Sequence, residues 1–257
     1  MNRFLNYTAI SFWLLYLVVA SQPANADNEI YVTQTGDNLR LEWEQKGDNN
    51  KIDTVLSGYQ LDTAILQQGQ RNQVLRKSQG IVGDSNQVVV EQWNNTTSTD
   101  INKIWIDIDG NSNMVDVGQG CKFIYSTSTV CSRDTHEDAG HEMEINITGD
   151  YNWLRGGQKS GTADPNHELK MDINSDNNSV FFTQAGSGAK DLDLTINNDG
   201  NAVSIHQHYG AHNATVTLDG TSPTNLNLIQ TGGPTQTYNL MQNCLTIGGC
   251  SVSVNQQ

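Results

Sequence analysis

Positively charged side chains and apolar residues are both scarce in this 257-residue chain, and each shortage excludes a class of protein. Lys and Arg together number 14 against 28 Asp and Glu, which gives a formal net charge of −14. A chain this acidic repels nucleic acids and anionic lipid head groups, so we expect neither as a partner. Only 36% of the residues are hydrophobic, which is low for a thick globular core. The chain is therefore either disordered or built on a thin, regular core.

Long apolar runs are also rare, and the one run that is present lies close to the N-terminus. Arg3 precedes the apolar segment 10–20, and Ala24-Asn25-Ala26 follows with the spacing of a signal-peptidase site. The run is shorter than the roughly 20 residues that a membrane-spanning helix needs. We therefore interpret residues 1–26 as a cleaved signal peptide and residues 27–257 as a single domain. This predicts a protein that is secreted or held at the cell surface, with no membrane span after cleavage.

Four cysteines follow the predicted signal peptide, in a context that permits disulfide formation. Four cysteines allow three pairings, and we expect the local one, Cys121 with Cys131 and Cys244 with Cys250. No C-x-x-C motif occurs, so a zinc site or a thioredoxin-like redox site is not indicated.

The most informative feature of the sequence is an internal repeat. Glycines recur every eleven residues from Gly36 to Gly80. Apolar and polar residues alternate within the units, as in Ile104-x-Ile106-x-Ile108, and this period of two indicates half-buried strands rather than a helix. Segments such as TGDN and DGNSN separate the strands, and Gly, Asn and Asp are residues typical of tight turns. Two units thus form one strand–turn–strand coil.

The second strand of each coil has glutamine at one fixed position near its end, and in several coils it opens with asparagine. Strands stacked in register at about 4.8 Å place each side chain on its own copy, so that buried amides hydrogen-bond along the stack. The sequence therefore predicts an all-β fold: a β-solenoid of about nine strand–turn–strand coils with stacked Gln and Asn ladders. The predicted Gln ladder is Gln45, Gln67, Gln92, Gln119, Gln158, Gln184, Gln207, Gln230 and Gln256, and the predicted Asn ladder is Asn86, Asn113, Asn152, Asn178 and Asn201.

Two histidines and one lysine are expected to face outward. His206 and His208 flank the inward Gln207, so both are expected on the outer surface, and we expect Lys190 to face outward as well. Arg76 fits badly, because it falls at an inward position unless a bulge turns Leu75 inward instead.

Motifs for catalysis or cofactor binding are lacking. His136, Glu137, Asp138, His141 and Glu142 lie close together in the sequence but show no recognised ligand spacing, so we interpret them as part of a solvated acidic loop. A β-helix enzyme of the pectate-lyase kind would need longer coils and clustered acids with Arg or Lys on one face. We therefore expect no enzyme activity, no metal site and no cofactor.

The repeat resembles the curlin repeat of bacterial curli fibres, S-x5-Q-x-G-x-x-N-x-A-x3-Q. Gln67, Gly69, Asn72 and Val74 match the middle of that pattern, with Val in place of Ala. Its second half is matched by NQVVVEQ, NMVDVGQ, NSVFFTQ and NAVSIHQ, so the resemblance extends over residues 28–257. It implies a β-solenoid subunit of an extracellular, amyloid-like fibre in a biofilm matrix.

These observations lead to one expected function and one alternative. The strand-like ends NEIYVTQTG and SVSVNQQ have no capping helix, so we expect copies of the chain to stack head to tail into a homopolymer, with a nucleator or an export pore as a further candidate partner. The alternative is a monomeric or surface-tethered solenoid adhesin that binds through the loops inserted at 94–100, 122–140, 161–166 and 221–223. A Cys244–Cys250 bridge that closes off the last coil would favour this alternative.

Overall fold

The computed structural model describes residues 29–35, 40–47, 49–57, 62–68, 71–75, 81–94, 101–120, 122–123, 131–132, 140–159 and 167–257. Within these ranges the structure is all β, with twenty strands and no helix. The strands are β1 (Glu29–Thr35), β2 (Arg40–Lys46), β3 (Lys51–Ser57), β4 (Asp62–Gln68), β5 (Asn72–Leu75), β6 (Ile81–Val82), β7 (Gln87–Trp93), β8 (Asn102–Trp105), β9 (Met114–Gln119), β10 (Lys122–Phe123), β11 (Cys131–Ser132), β12 (Glu142–Met143), β13 (Trp153–Lys159), β14 (Ser179–Ala185), β15 (Lys190–Asp191), β16 (Ala202–Tyr209), β17 (His212–Gly220), β18 (Thr224–Gly232), β19 (Gln236–Cys244) and β20 (Cys250–Gln256).

Parallel sheets stack into a β-solenoid, which confirms the predicted fold class. One sheet, which we call the glutamine wall, has nine strands in the order β2-β4-β7-β9-β13-β14-β16-β18-β20. The opposite wall consists of a six-stranded sheet (β1, β3, β5, β6, β8 and β12) and a three-stranded sheet (β15, β17 and β19). The chain alternates between the two walls, and the strands pair in register, so that Gln184 lies between Gln158 and Gln207.

The solenoid has about six complete turns, slightly fewer than the nine coils predicted. In the coils that contain β13, β14 and β16, the opposite wall has a strand of two residues or none. The backbone there departs from strand geometry, because Ile147, Asp172 and Ile173 have positive φ angles of 122°, 124° and 80°. The inward side chains of these segments are nevertheless buried, as at Leu169 and Met171, so the core continues where the strands shorten or end.

The core between the walls is thin and is filled by hydrophobic side chains. Their sizes are matched between neighbouring coils. Gly156 occupies an inward position of β13, and the ring of Phe182 from the next coil fills the space beside it. A Cβ atom at Gly156 would lie 2.3 Å from that ring. The two residues are therefore a matched pair in the core.

Glycine is required in the turns because the coils approach closely there. Gly83 and Gly110 have φ angles of 110° and 151°. A Cβ atom on Gly83 would lie 1.9 Å from the carbonyl oxygen of Gly110, and one on Gly110 would lie 2.0 Å from that of Gly149. Glycine at these turn positions therefore permits the close approach of successive coils.

Several sequence predictions lie outside the described residues: the signal peptide 1–26, Arg76, Cys121 and the residues 136–138. The side chains of Leu75 and Cys131 are also not described. Among the residues that are described, no helix has the length and apolar character needed to cross a membrane.

Candidate functional site: the axial ladders and the last coil

The nine predicted glutamines lie in one column along the solenoid axis. Each Nε2 from Gln45 to Gln230 donates to the Oε1 of the next glutamine at 2.8–3.0 Å. The same nitrogen also donates across to the opposite wall, for example from Gln184 to the Glu168 carbonyl at 2.9 Å. The side chains from Gln45 to Gln230 are buried, and Gln256 is partly exposed. Because the amides from Gln67 to Gln230 bond both along the axis and across it, the column holds the two walls together.

The five predicted asparagines form a second column on the same wall. The Oδ1 of Asn113 accepts both the backbone N–H and the side-chain Nδ2–H of Asn152, at 2.9 and 3.1 Å. The Nδ2 of Asn113 in turn donates to the Gly149 carbonyl at 2.7 Å. The pattern continues to Asn201, whose Oδ1 accepts the backbone N–H of Thr224. Each asparagine therefore ties its strand both to the neighbouring coil and to a turn.

A third column of buried polar residues, which the sequence analysis missed, runs along the opposite wall. It begins with an asparagine ladder in which Asn102 donates to the Oδ1 of Asn72 at 3.2 Å. Larger side chains take over in the later coils, and all of them are buried. The column is Asn50, Asn72, Asn102, His141, His167, Lys190, His212 and Gln236. The signal was present in the sequence, because His141, His167, Lys190 and His212 alternate in phase with the inward apolar residues that follow them.

Lys190 faces inward and is 1% exposed, so the prediction of an outward Lys190 was wrong. Its Nζ reaches a corner of the coil and donates to the carbonyls of Ser187, Gly188 and Tyr209 at 2.8–3.0 Å. Burial lowers the pKa of Lys190 to about 8. The ring of carbonyl oxygens compensates the ammonium for lost water, which is why a lysine is tolerated at this depth.

His141 and His167 lie next to each other in the same column, with ring centroids 4.9 Å apart. The interpretation of His141 as part of a solvated loop was therefore wrong, because its side chain is fully buried. Neither ring nitrogen of His167 has a hydrogen-bond partner among the described residues. Burial, with the nearby His141 and Lys190 as lesser causes, lowers the pKa of His167 far below its usual value. His167 is therefore neutral in the folded protein.

His206 and His208 lie on the outer surface of the glutamine wall, where both are partly exposed. The His206 ring contacts Phe181, with centroids 5.4 Å apart, and its Nε2 lies 3.2 Å from the Ser204 hydroxyl. Burial lowers the pKa of His206 and of His208. Among the described residues, no group of three or more His, Cys, Asp or Glu side chains is arranged to hold a metal ion.

The last coil has one side that no described strand covers. β19 and β20 are edge strands of their sheets, and no described strand pairs with their outer edges. Tyr238, Leu240, Val252 and Val254 are inward side chains that are only partly buried. Leu228, which occupies the position of Val254 one coil earlier, is fully buried. The last coil thus presents a cross-section of the core.

A disulfide between Cys244 and Cys250 joins the end of β19 to the start of β20. It links two strands of the same coil across their turn. The other inserted segment with cysteines is described only at β10 and β11, which form a short antiparallel pair with Phe123 opposite Cys131.

Comparison with known proteins yields no relative for this chain: no family model matches it, and neither a curated protein nor a solved structure does.

Proposed function

We propose that this protein is a secreted structural subunit that assembles head to tail into an extracellular, curli-like amyloid fibre. The observation that carries the proposal is the uncovered last coil. Its inward residues Leu240, Val252 and Val254 pack against the core on one side only, so another coil placed on them would bury apolar surface that is now partly exposed.

The direction of the glutamine ladder supports the same assembly. Each Nε2 from Gln45 to Gln230 donates toward the C-terminal end of the stack, and Gln256 is the last member of the column. Its Nε2 makes a 3.4 Å contact with the Thr237 carbonyl, and it lacks the axial Gln partner that Gln230 has. A further glutamine above it would supply that acceptor, and the edge of β20 would pair with a parallel strand.

A second copy of this chain is the partner that fits these requirements. The first described coil, β1 and β2, contains Gln45 in the ladder position, as the last coil contains Gln256. Continuing the repeat from one copy to the next therefore preserves the register of the column. The net charge of −14 opposes the approach of two copies, so we expect assembly to accelerate as salt screens it.

The proposal is tested by incubating the purified full chain at neutral pH and following thioflavin fluorescence, electron microscopy and fibre diffraction. We expect unbranched fibres with a reflection near about 4.7 Å. Val254→Lys places a charge on the uncovered core surface, and Asn255→Lys places the same charge on the outer face of the same strand. Val254→Lys should slow elongation at least tenfold, and Asn255→Lys should leave it within about twofold.

Two results would refute fibre assembly through the last coil. The first is a chain that stays monomeric and dye-silent even at high salt, which would favour the adhesin alternative. The second is an equal effect of the two lysine variants, which would show that added charge, rather than the blocked edge, controls growth.

A further inference from the structure

A shallow groove lies on the outer face of the glutamine wall near its C-terminal end. It has a volume of about 250 Å³ and is lined by small side chains on β14, β16, β18 and β20, among them Ala202, Ser204, Asn227 and Ser253. These residues stack in register from coil to coil, so the groove runs along the solenoid axis.

One end of the groove is marked by an exposed aromatic residue. Trp153 on β13 pairs with Ser179 on β14, and its side chain is 51% exposed. The adjacent Met114 is also exposed, at 41%. A tryptophan in this setting offers a flat apolar surface together with a polar N–H group, which suits a ligand that is itself partly apolar and partly polar.

The groove is rich in hydrogen-bonding groups but has no charge. Ser251, Ser253, Asn225 and Asn227 point outward, and among the described residues none of their side chains has a hydrogen-bond partner. The outward positions of β14, β16, β18 and β20 contain no Asp, Glu, Lys or Arg. The same coils expose Glu168, Asp191 and Asp219 on the opposite wall. An uncharged strip on a chain of net charge −14 favours a neutral ligand.

We propose that this groove binds a neutral polysaccharide, with the sugar chain lying along the solenoid axis. Trp153 would contact the apolar face of a sugar ring, and the Ser and Asn side chains would exchange hydrogen bonds with its hydroxyl groups. The proposal does not depend on fibre formation, because the groove lies within one chain.

The charge of the chain favours a neutral sugar chain over a second copy of the protein. Two copies that meet at this face each bring a net charge of −14, whereas a neutral sugar chain meets no such repulsion. A narrow extended ligand also matches a shallow groove that runs along the solenoid axis.

The test is titration calorimetry of the full chain, at a concentration where light scattering shows no assembly. The probes are cellohexaose, mannohexaose and N-acetylchitohexaose, with hexagalacturonate as an anionic comparison. We expect at least one neutral hexasaccharide to bind and the anionic one not to bind. Trp153→Ala and Asn227→Glu should each weaken binding at least tenfold.

Asn239→Glu is the matched control, because Asn239 is an exposed asparagine on the outer face of the opposite wall. It should leave the affinity within about twofold. Absence of binding by all three neutral probes would overturn the proposal, as would equal losses in the two Glu variants. If sedimentation shows that Asn227→Glu abolishes self-association instead, the face serves a second copy and the proposal is wrong.

Discussion

Replacing Gln184 by Ala measures how much the glutamine ladder contributes to stability. The side chain is fully buried and makes three hydrogen bonds: it accepts from Gln158 at 2.8 Å, and it donates to Gln207 at 2.8 Å and to the Glu168 carbonyl at 2.9 Å. Each bond contributes about 1 kcal/mol net, and each buried group left without its partner costs about 1–3 kcal/mol. The Gln184→Ala variant should therefore lose about 3–5 kcal/mol of unfolding free energy.

The assay is urea denaturation followed by circular dichroism, with two comparison variants. Ser179→Ala alters an exposed residue of the same strand and should change stability by no more than about 0.5 kcal/mol. Gln184→Leu fills the space but leaves Gln158 and Gln207 without their partner, so it should be nearly as unstable as the alanine variant. If leucine restores most of the stability, the loss comes from packing and the ladder argument is refuted.

Three further predictions concern the core, the buried histidine and the turns. Gly156→Ala should destabilise the fold by about 1–3 kcal/mol, because the new methyl group meets Phe182, and adding Phe182→Leu should recover part of the loss in the same urea assay. The lowered pKa of His167 means that the unfolded chain takes up its proton first, so stability is retained above pH 6.5 and falls below it. His167→Asn should therefore reduce the stability lost between pH 7 and pH 5 by about 2 kcal/mol, and an unchanged pH profile would contradict this. Gly110→Ala should lower the melting temperature far more than Gly248→Ala, because both have positive φ but only Gly110 faces a carbonyl at 2.0 Å; equal shifts would exclude the close approach as the cause.

The glutamine wall illustrates how much of this fold is predictable from spacing alone. In a parallel, in-register stack, residues that share a position in the repeat lie directly above one another. The period of the sequence therefore predicts that Gln45, more than 200 residues before Gln256, belongs to the same column. No knowledge of the tertiary contacts is needed to reach this result.

The opposite wall shows why the spacing of residues did not predict the strand lengths and the orientation of Lys190 there. Insertions interrupt the eleven-residue period there, and its strands shorten or disappear where Ile147 and Ile173 adopt positive φ. Lys190 was expected to face outward, although its alternation with Leu192 indicates an inward position. The deciding contact is a ring of backbone carbonyls from a turn, among them those of Ser187 and Gly188, and it exists only in the folded chain.

The sequence by itself determined the solenoid, the direction of its axis relative to the strands, and the two amide ladders of the glutamine wall. The reason is that residues which recur at the same position of a sequence repeat lie directly above one another when the coils stack in register. The alternation of His141, His167 and Lys190 with apolar residues indicated that they face inward, and the tertiary structure showed that they continue the asparagine column. The tertiary structure alone decided that the inward side chains of the last coil are only partly buried and that small side chains beside Trp153 form a groove. These features depend on how each coil packs against its neighbours. In the glutamine wall the same packing keeps the strands in register on both sides of each insertion.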